Sequence, residues 1–446
     1  MKRYPNYKES GIEWIGKIPH HWEVLKTKHV GLSNPSKNNP KTTCLKDEPI
    51  VFLPMERVHT DGTIDQELRL PYSQLKNGYT YFEEGDILIA KVTPCFENGK
   101  IVHIKNLATS VGFGSTEFIV TRPDLQRVFP PFLYYILRSK PLRNIGKHFM
   151  TSAIGLKRVP TEFVENFRIP IPIYQEQIQI ADFLDRKTEQ IDELIRIKER
   201  QIELLQEQRT ALINQVVTRG LDPNVEMKPS GAEWIGEIPT HWEIKRLKHV
   251  AKILPSNVDK HIYPDEIQVR LCNYTDVYYN DYVTVDTVLK KGSCKESEFA
   301  KFVLRKGDVI ITKDSETPDD IGVPTFVKDD LDDVVCGYHL TMIRPLACRG
   351  EFIFRFIQSD RTRRYFEVNS NGITRYGLGK ASIENLLLPM PPDSEQQQIA
   401  NFLDRKTQQI DELIAAEQRK IERLKEYRQS LISEAVTGKI DVRNEV

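Results

Sequence analysis

Apolar side chains recur every seven residues along two long stretches of the chain, with charged residues between them. The first stretch runs from Glu176 to Thr218 and the second from Glu395 to Thr437, a constant offset of 219 residues. A sustained seven-residue period predicts a coiled-coil seam rather than an ordinary surface helix. A rise of about 1.5 Å per residue makes each helix roughly 65 Å long. A lone helix of that length cannot bury its apolar stripe, so we predict that the two copies pack on each other.

The predicted seam consists of aliphatic side chains at the recurring positions of both helices. They are Leu184, Ile191, Ile195, Ile202 and Leu205 in the first helix and Leu403, Ile410, Ile414, Ile421 and Leu424 in the second. If the helices pair antiparallel about an approximate two-fold axis, Arg209 approaches Asp404. By the same symmetry, Arg428 approaches Asp185. Extension of these charged ends into solvent is the alternative interpretation, and the sequence does not decide between the two.

A second repeat opens each half of the chain. The segment from Ser10 to Val30 returns from Ser230 to Val250, and both copies contain the pattern W-I-G-x-I-P-x-H-W. The chain therefore consists of two tandem units of similar length, and repeats of this size are duplicated domains. We expect the recurring tryptophans to anchor each domain, and the recurring histidines to cap or pack rather than to bind a metal.

Between the opening pattern and the long helix, each unit alternates apolar runs of strand length with short helical patterns. The predicted strands are Pro49–Leu53, Asp86–Val92, Phe118–Thr121, Gln268–Cys272, Asp308–Thr312 and His339–Arg344, and the helical stretches are Phe129–Phe149 and Glu351–Val368. The prediction is an α+β protein in which two tandem mixed α/β domains alternate with two long helices. The expected parts are 1–173, helix 174–220, 221–392, helix 393–438 and a loose tail 439–446, with Gly220 and Gly438 ending the helices.

Composition narrows the function classes. Lysine plus arginine and aspartate plus glutamate both number 63, a balance that neither favours nor excludes a nucleic-acid partner. No apolar run is long enough for a membrane span, no signal peptide is recognisable, and the six cysteines form no C-x-x-C pair. These features predict a cytoplasmic protein. Signatures for nucleotide phosphates, dinucleotides and zinc are absent from the sequence, so we expect no catalytic residues, metal or cofactor on this chain.

Polar, glycine-containing loops supply the candidate DNA contacts. They are Lys91, Thr93, Asn98, Lys100, Ser152, Lys157 and Arg158 in the first unit and Lys313, Asp314, Ser315, Arg375, Tyr376 and Lys380 in the second. Basic side chains bind phosphates or guanine edges, and small polar ones read other base edges. For any single residue a solvated surface is the commoner explanation; the matched position of the loops in both units is the signal. Two similar but non-identical domains predict a bipartite, asymmetric site whose halves lie roughly 34 Å apart.

Three pairs of segments resemble the specificity subunit of type I restriction–modification systems, and together they cover essentially the whole chain. They are ESGIEWIGKIPHHWEV with PSGAEWIGEIPTHWEI, GDILIAKVTP with GDVIITKDSE, and IPIPIYQEQIQIADFLDRKTEQID with LPMPPDSEQQQIANFLDRKTQQID. The resemblance implies two target-recognition domains spaced by an antiparallel coiled coil. It also implies that the helices dock two copies of the modification methyltransferase subunit, which the ATP-dependent restriction subunits then join. S-adenosylmethionine and ATP belong to those partners.

Two other functions stay open on the sequence alone. A cryptic nuclease would need a carboxylate cluster that the sequence does not display. A coiled-coil scaffold without a DNA role would leave the matched polar loops unexplained. Salt dependence separates the scaffold from the DNA-binding protein, because phosphate neutralisation makes DNA affinity fall steeply with salt.

Overall fold

The computed structural model describes residues 2–45, 47–153 and 155–445. The chain forms two compact units, Met1–Lys198 with Arg419–Val446, and Glu199–Gln418. Each unit thus combines one mixed domain with the start of one long helix and the end of the other. The predicted tandem arrangement of two domains of mixed helix and strand is confirmed.

The first unit is built mainly from short strands. Its strands are β1 (Tyr7–Glu9), β2 (Lys17–Pro19), β3 (Glu23–Lys26), β4 (Gly31–Ser33), β5 (Pro49–Leu53), β6 (Arg69–Pro71), β7 (Thr80–Phe82), β8 (Ile87–Ala90), β9 (Ile101–His103), β10 (Gly112–Gly114), β11 (Phe118–Pro123), β12 (Thr151–Ala153), β13 (Leu156–Arg158) and β14 (Arg168–Ile171). Its helices are α1 (Pro40–Thr43), α2 (Tyr72–Leu75), α3 (Pro130–Arg138), α4 (Lys140–Phe149), α5 (Thr161–Asn166) and α6 (Tyr174–Arg219), which ends in the second unit. The two four-stranded sheets have the orders β6-β5-β10-β7 and β4-β11-β8-β9, and one apolar cluster draws on both.

The second unit repeats this plan. Its strands are β15 (Met227–Pro229), β16 (Glu237–Pro239), β17 (Glu243–Arg246), β18 (Ala251–Pro255), β19 (Ile267–Cys272), β20 (Tyr282–Val283), β21 (Lys290–Cys294), β22 (Val303–Leu304), β23 (Val309–Thr312), β24 (Asp314–Ser315), β25 (Pro324–Val327), β26 (Leu331–Cys336), β27 (Leu340–Pro345), β28 (Ser370–Asn371), β29 (Tyr376–Leu378) and β30 (Leu387–Met390). Its helices are α7 (Tyr274–Tyr278), α8 (Glu296–Phe302), α9 (Gly350–Ile357), α10 (Asp360–Asn369), α11 (Lys380–Glu384) and α12 (Asp393–Val436), which ends in the first unit. The larger sheets have the orders β18-β27-β23-β25-β20 and β21-β19-β26-β22.

The predicted strands coincide with β5, β8, β11, β19, β23 and β27 to within one or two residues. The central strands β8 and β23 are buried along their whole length, so they read as continuous apolar runs. Before β8, Gly85 takes a positive φ of 86°, which glycine adopts without strain. The next residue, Asp86, forms an ion pair with Arg122 at 2.8 Å, and Asp308 forms the same pair with Arg344 at 2.7 Å. The repeated G-D pattern thus fixes the entry to the central strand in both units.

Each helical stretch that the sequence predicted as one piece is two helices, α3 and α4 in the first unit and α9 and α10 in the second. Ser139 and Ser359 separate them with extended backbone, at ψ 152° and 145°. Their hydroxyls donate to the carbonyls of Ile136 and Phe356, each at 2.6 Å. A serine that binds its own preceding turn ends the helix there.

The ends of the long helices pack on the opening pattern, as the core of the second unit shows. Trp22 and Trp242 are fully buried, which confirms them as anchors of the two domains. The apolar cluster around Trp242 includes the last turns of α6 and the first turns of α12. Gly220 and Gly438 follow the two helices with φ of 74° and 68°, as predicted for residues that end a helix.

The tail that we expected to be loose is packed in its described part, 439–445. Val442 is fully buried, and the Asp441 amide donates to the Lys2 carbonyl at 2.9 Å. The Arg443 guanidinium binds Asp441 at 2.7 Å and lies 4.8 Å from the ring centre of Tyr4. Apolar burial and a paired charge therefore hold the segment against the N-terminal residues.

Among the described residues, no helix has both the length and the apolar character that crossing a bilayer requires. The same part of the chain contains no group of three histidine, cysteine or acidic side chains arranged to hold a metal ion.

Candidate nucleic-acid interface

Each unit carries an antiparallel hairpin, its ribbon, attached to the segment that follows its central strand; the ribbon stands alone in the first unit and is part of a three-stranded sheet in the second. In the first unit β12 pairs antiparallel with β13, so that Ser152 lies opposite Lys157. In the second unit β28 pairs antiparallel with β29, which also pairs with β24. In the first unit the ribbon contains Ser152, Lys157 and Arg158, and the attached loop contains the earlier predicted residues. In the second unit the ribbon contains Arg375 and Tyr376, Asp314 and Ser315 form the neighbouring strand β24, and Lys380 begins helix α11.

Backbone hydrogen bonds join loop and ribbon in the same way in both units. The Lys91 carbonyl accepts from the Val159 amide at 2.9 Å, and the Lys313 carbonyl accepts from the Leu378 amide at 2.8 Å. In the first unit the Thr93 amide also donates to the carbonyl of Lys157 at 2.9 Å. The fold therefore brings together the two loops that the sequence presented as separate stretches.

The predicted residues of the first unit differ in how far their side chains are already engaged. Asn98, Ser152 and Lys157 are exposed, and Lys91 and Thr93 are half-buried. The Lys100 ammonium donates to the carbonyl of Met55 at 2.8 Å. The Arg158 guanidinium forms a two-armed ion pair with Glu117, with its closest contact at 2.8 Å. This arginine holds the pKa of the Glu117 carboxyl below its usual value.

The predicted residues of the second unit show the same division. The Lys313 ammonium donates to the Ser256 carbonyl at 2.9 Å, and Lys380 pairs with Glu384 at 3.3 Å. Ser315 is buried, and Tyr376 packs against the core of the unit.

Asp314 and Arg375 are the two predicted residues of the second unit that meet on one side chain. The Asp314 carboxylate lies 2.7 Å from Nδ1 of His339, and the Arg375 guanidinium lies 3.3 Å from the same nitrogen. Arg375 itself is exposed. The sequence analysis missed His339 because it treated this residue only as the start of a strand.

A groove of about 840 Å³ opens beside this cluster. Its walls include Tyr274, Tyr278 and Tyr279, together with Asp314, Asp320, His339 and Arg375. The Tyr278 hydroxyl donates to Asp320 at 2.6 Å, and this hydrogen bond raises the pKa of Tyr278 to about 12. The tyrosines were also missed, although the run YTDVYY was a visible signal of an aromatic surface.

The start of each long helix is tied to its own domain by the histidine of the opening pattern. His21 Nε2 lies 2.8 Å from the Glu176 carboxylate, and His241 Nε2 lies 2.9 Å from that of Glu395. The recurring histidine thus caps the first turn of a helix, in agreement with the structural role that we expected for it.

The glutamine that follows each of these glutamates makes a second attachment. The Gln177 side chain accepts from the Phe129 amide at 2.7 Å, and that of Gln396 accepts from the Arg349 amide at 2.9 Å. Both glutamines are buried. The repeated E-Q pair therefore positions the helix start against the residue that precedes α3 or α9.

Two turns later, the repeated F-L-D-x-K-T pattern contacts the domain again, through different partners. In the first unit the Tyr135 hydroxyl donates to the Asp185 carboxylate. In the second unit the fully buried Arg355 binds Asp404 at 2.6 Å and Thr407 at 3.1 Å. The helix side of the junction is repeated while the domain side has diverged.

Further along, arginines of each helix end bind aspartates of the other helix. In the second unit Arg209 of α6 lies 3.1 Å from Asp411 of α12 and 2.6 Å from Asp281 of the domain. In the first unit Arg428 of α12 lies 3.2 Å from Asp192 of α6. Burial and the neighbouring Arg138 lower the pKa of Arg428.

The predicted partners of these arginines were wrong by one seven-residue repeat. Arg209 does not bind Asp404, because Arg355 of the domain already occupies that carboxylate. Arg428 does not bind Asp185, whose carboxylate accepts from Tyr135. The seven-residue period predicted the spacing of the ion pairs correctly. Contacts between the domain and the helix determined which aspartate of the repeat each arginine binds.

Burial of the predicted seam residues is graded along the helices. The buried ones are Leu184, Ile191, Ile195, Leu403, Ile410 and Ile421. The half-buried ones are Ile202, Leu205, Ile414 and Leu424. Two leucines at equivalent positions point outward instead, Leu194 with 46% and Leu413 with 53% of its surface exposed.

The family model described as "Type I restriction modification DNA specificity domain" matches residues 19–205 and again residues 239–425. The chain belongs to this family. Each match contains one mixed domain and most of the long helix that follows it, so the duplication seen in the sequence is a duplication of the specificity domain. The predicted family is confirmed.

The chain is similar to proteins that are named as specificity subunits of type I restriction enzymes. The EcoEI specificity subunit of Escherichia coli is 38% identical over 183 residues, which are 40% of this chain and 30% of that protein. The chain thus spans about a third of that relative's length. The putative MjaX specificity subunit of Methanocaldococcus jannaschii is 24% identical over 98% of both chains.

Two solved structures share the fold. One, from work on complex assembly and conformational transition of the type I R-M system, has a TM-score of 0.74 at 18% identity, covering 95% of this chain and 99% of the other. The HsdS subunit from Thermoanaerobacter tengcongensis has a TM-score of 0.55 at 18% identity, with coverage of 95% and 98%.

Proposed function

We propose that this chain is the non-catalytic specificity subunit of a type I restriction–modification complex and that it recognises a bipartite, asymmetric DNA site. The observation that carries the proposal is the matched ribbon and loop in two copies of the DNA specificity domain. A two-stranded β-ribbon fits the major groove of B-DNA, where all four base pairs are distinguishable. Because the two ribbons carry different side chains, the two half-sites should differ.

The proposed domain boundaries are those predicted from the sequence: target-recognition domains at 1–173 and 221–392, with spacer helices at 174–220 and 393–438. We propose that the helices pair as an antiparallel coiled coil with approximate two-fold symmetry. Two ion pairs support this pairing, because Arg209–Asp411 and Arg428–Asp192 are equivalent under the 219-residue offset. In this arrangement the coiled coil sets the distance between the half-sites.

The proposed partners are double-stranded DNA, two copies of the modification methyltransferase subunit and the restriction subunits, in the cytoplasm. S-adenosylmethionine and ATP would be bound by those subunits. The exposed Leu194 and Leu413 favour two equivalent docking surfaces, since both present an apolar side chain at the same place in the repeat. Replacement of both by glutamate should abolish co-purification of the methyltransferase, whereas glutamate in place of the half-buried Lys187 and the exposed Lys406 should not.

The decisive experiment is to co-express the chain with its modification subunit and to map methylated bases in the host DNA by long-read sequencing. A single bipartite motif that disappears when this chain is deleted is the expected result. A stable complex that methylates no motif would contradict the proposal. Insertion of one helical turn into both α6 and α12 should change the spacer and leave both half-sites unchanged; an unchanged spacer would refute the role of the helices as a ruler.

A further inference from the structure

We propose that Arg375 reads a guanine in the half-site of the second unit and that His339, held by Asp314, positions it. The inference rests on the proposed DNA-binding function and assigns a base-reading residue within it. Arg375 lies at the end of the β28–β29 ribbon, beside Ile373, whose side chain is 92% exposed. A ribbon that enters a groove presents its tip first, so these residues would meet the base edges.

Arg375 differs from the other arginine of the candidate interface in pairing with no carboxylate among the described residues. Arg158 of the first unit is bound on two sides by Glu117. Within the described chain, the side-chain atoms at hydrogen-bonding distance from the Arg375 guanidinium are the two His339 ring nitrogens, Nδ1 at 3.3 Å and Nε2 at 3.5 Å. Its planar set of donors is therefore available, and that set matches the O6 and N7 acceptors of guanine.

His339 is itself held in place. Its Nδ1 lies 2.7 Å from the Asp314 carboxylate, so in the neutral ring Nδ1 carries the proton and Nε2 is an acceptor. The ring centre of Tyr338 lies 3.6 Å from that of His339 and limits its rotation. The Arg375 guanidinium lies at similar distances from both nitrogens of this ring and therefore packs against it, so the fixed ring restricts the guanidinium to a position beside the groove.

The charges around the groove favour a base over a phosphate. Asp314, Glu316 and Asp320 all line it, and Arg375 is the cation among its lining side chains. Carboxylates repel a phosphate, whereas they accept hydrogen bonds from the amino group of cytosine or adenine. A guanine–cytosine pair offers two acceptors to Arg375 and one amino donor to a neighbouring carboxylate, which suits this set of side chains.

The test uses the full chain co-expressed with its modification subunit, with methylated motifs mapped as above. Methylation rates are then measured on duplexes that carry guanine or adenine at each position of the affected half-site. R375A should relax one guanine position, lowering discrimination there roughly 5- to 150-fold, the equivalent of one lost bidentate contact. R375K should relax the same position although it keeps the charge. R246A, which removes an exposed arginine on β17 of the same unit, is the control and should leave the motif unchanged.

The positioning role of His339 is tested by the same readout. H339A should lower discrimination at the same position by less than R375A does, and H339Q should restore part of it, because its amide oxygen accepts from Arg375. A purely structural role would instead lower all methylation rates together. Co-purification with the modification subunit verifies that each variant is folded.

Three results would overturn the inference. The first is an unchanged motif in R375A. The second is a uniform loss of methylation on all sequences in R375A together with a salt slope reduced by about one, which identifies a phosphate contact. The third is a half-site without guanine at the position that responds. If the wild-type complex methylates no motif at all, the proposed function is wrong, and the inference that rests on it is wrong as well.

Discussion

The two units can be compared residue by residue, because one duplication produced both. Where each long helix begins, they agree: a histidine binds the first-turn glutamate and a glutamine binds the backbone before α3 or α9. Two turns later they differ, since Tyr135 meets Asp185 in the first unit and Arg355 meets Asp404 in the second. At the ribbons they differ further, with an arginine bound to glutamate in one and an arginine beside histidine in the other. The attachment of the helix is thus the invariant part, and the outer surface is the variable part.

The junction between helix and domain offers the largest expected contrast. R355A removes a fully buried guanidinium together with its charged hydrogen bond to Asp404 and its hydrogen bond to Thr407, so we expect a loss of about 3 kcal/mol in the free energy of unfolding. Y135F removes only a hydroxyl that donates to a carboxylate at the corresponding place, and it should lower the free energy of unfolding by about 1.5 kcal/mol. Urea denaturation of both variants measures the difference.

R363A is the matched control for R355A, since its arginine forms a surface pair with Asp360 on α10. Such a pair contributes little, so R363A should be close to wild type. If Y135F destabilises the protein as much as R355A does, the buried charge is not what distinguishes the two junctions.

The equivalent tryptophans of the two units, Trp22 and Trp242, differ in the hydrogen bonding of their indole N–H groups. The Trp242 indole N–H donates to the Glu395 carboxylate at 3.0 Å, whereas within the described chain the buried Trp22 N–H has no acceptor. W242F should therefore lower the free energy of unfolding by about 1.5 kcal/mol more than W22F, the contribution of a hydrogen bond to a charged group. Thermal unfolding of both variants checks this difference, and equal losses would show that the bond to Glu395 contributes nothing.

The ion pairs between helices provide a smaller effect. A double-mutant cycle on Arg209 and Asp411 should give a coupling of about 0.5 kcal/mol, and one on Arg209 and Asp404 should give none. The cycle on Arg428 and Asp192 should give more, because both side chains of that pair are less exposed than those of Arg209 and Asp411 and solvent screens the pair less. Equal coupling in the two units would remove this distinction between them.

The smallest predicted effect is a pH dependence of stability, and it comes from the ion pair between Glu117 and Arg158 of the first ribbon. The pKa of Glu117 is lowered by Arg158 in the folded state, so the contribution of the pair is complete above the unfolded-state pKa of about 4.3. It is lost as the pH falls through the lower folded-state pKa. At neutral pH, E117Q should lower the melting temperature slightly, because the pair lies near the surface, and the difference should shrink as the pH falls below the unfolded-state pKa. Melting temperatures at several pH values test this, and a difference that persists in acid would contradict it.

The sequence by itself determined the duplication, the two long helices, the buried central strands and the family, because each leaves a periodic or repeated pattern along the chain. It also pointed to both loops of the candidate interface in each unit. It could not determine that these loops join through a ribbon, since the backbone bonds from Lys91 to Val159 and from Lys313 to Leu378 leave no pattern in side-chain chemistry. Nor could it find His339, which gains a partner only when distant strands meet. The choice of Asp411 over Asp404 was likewise made by the tertiary structure, because Arg355 reaches Asp404 from another part of the fold. A seven-residue period offers equivalent ion pairs in successive repeats, and only packing against the domain selects the pair that forms.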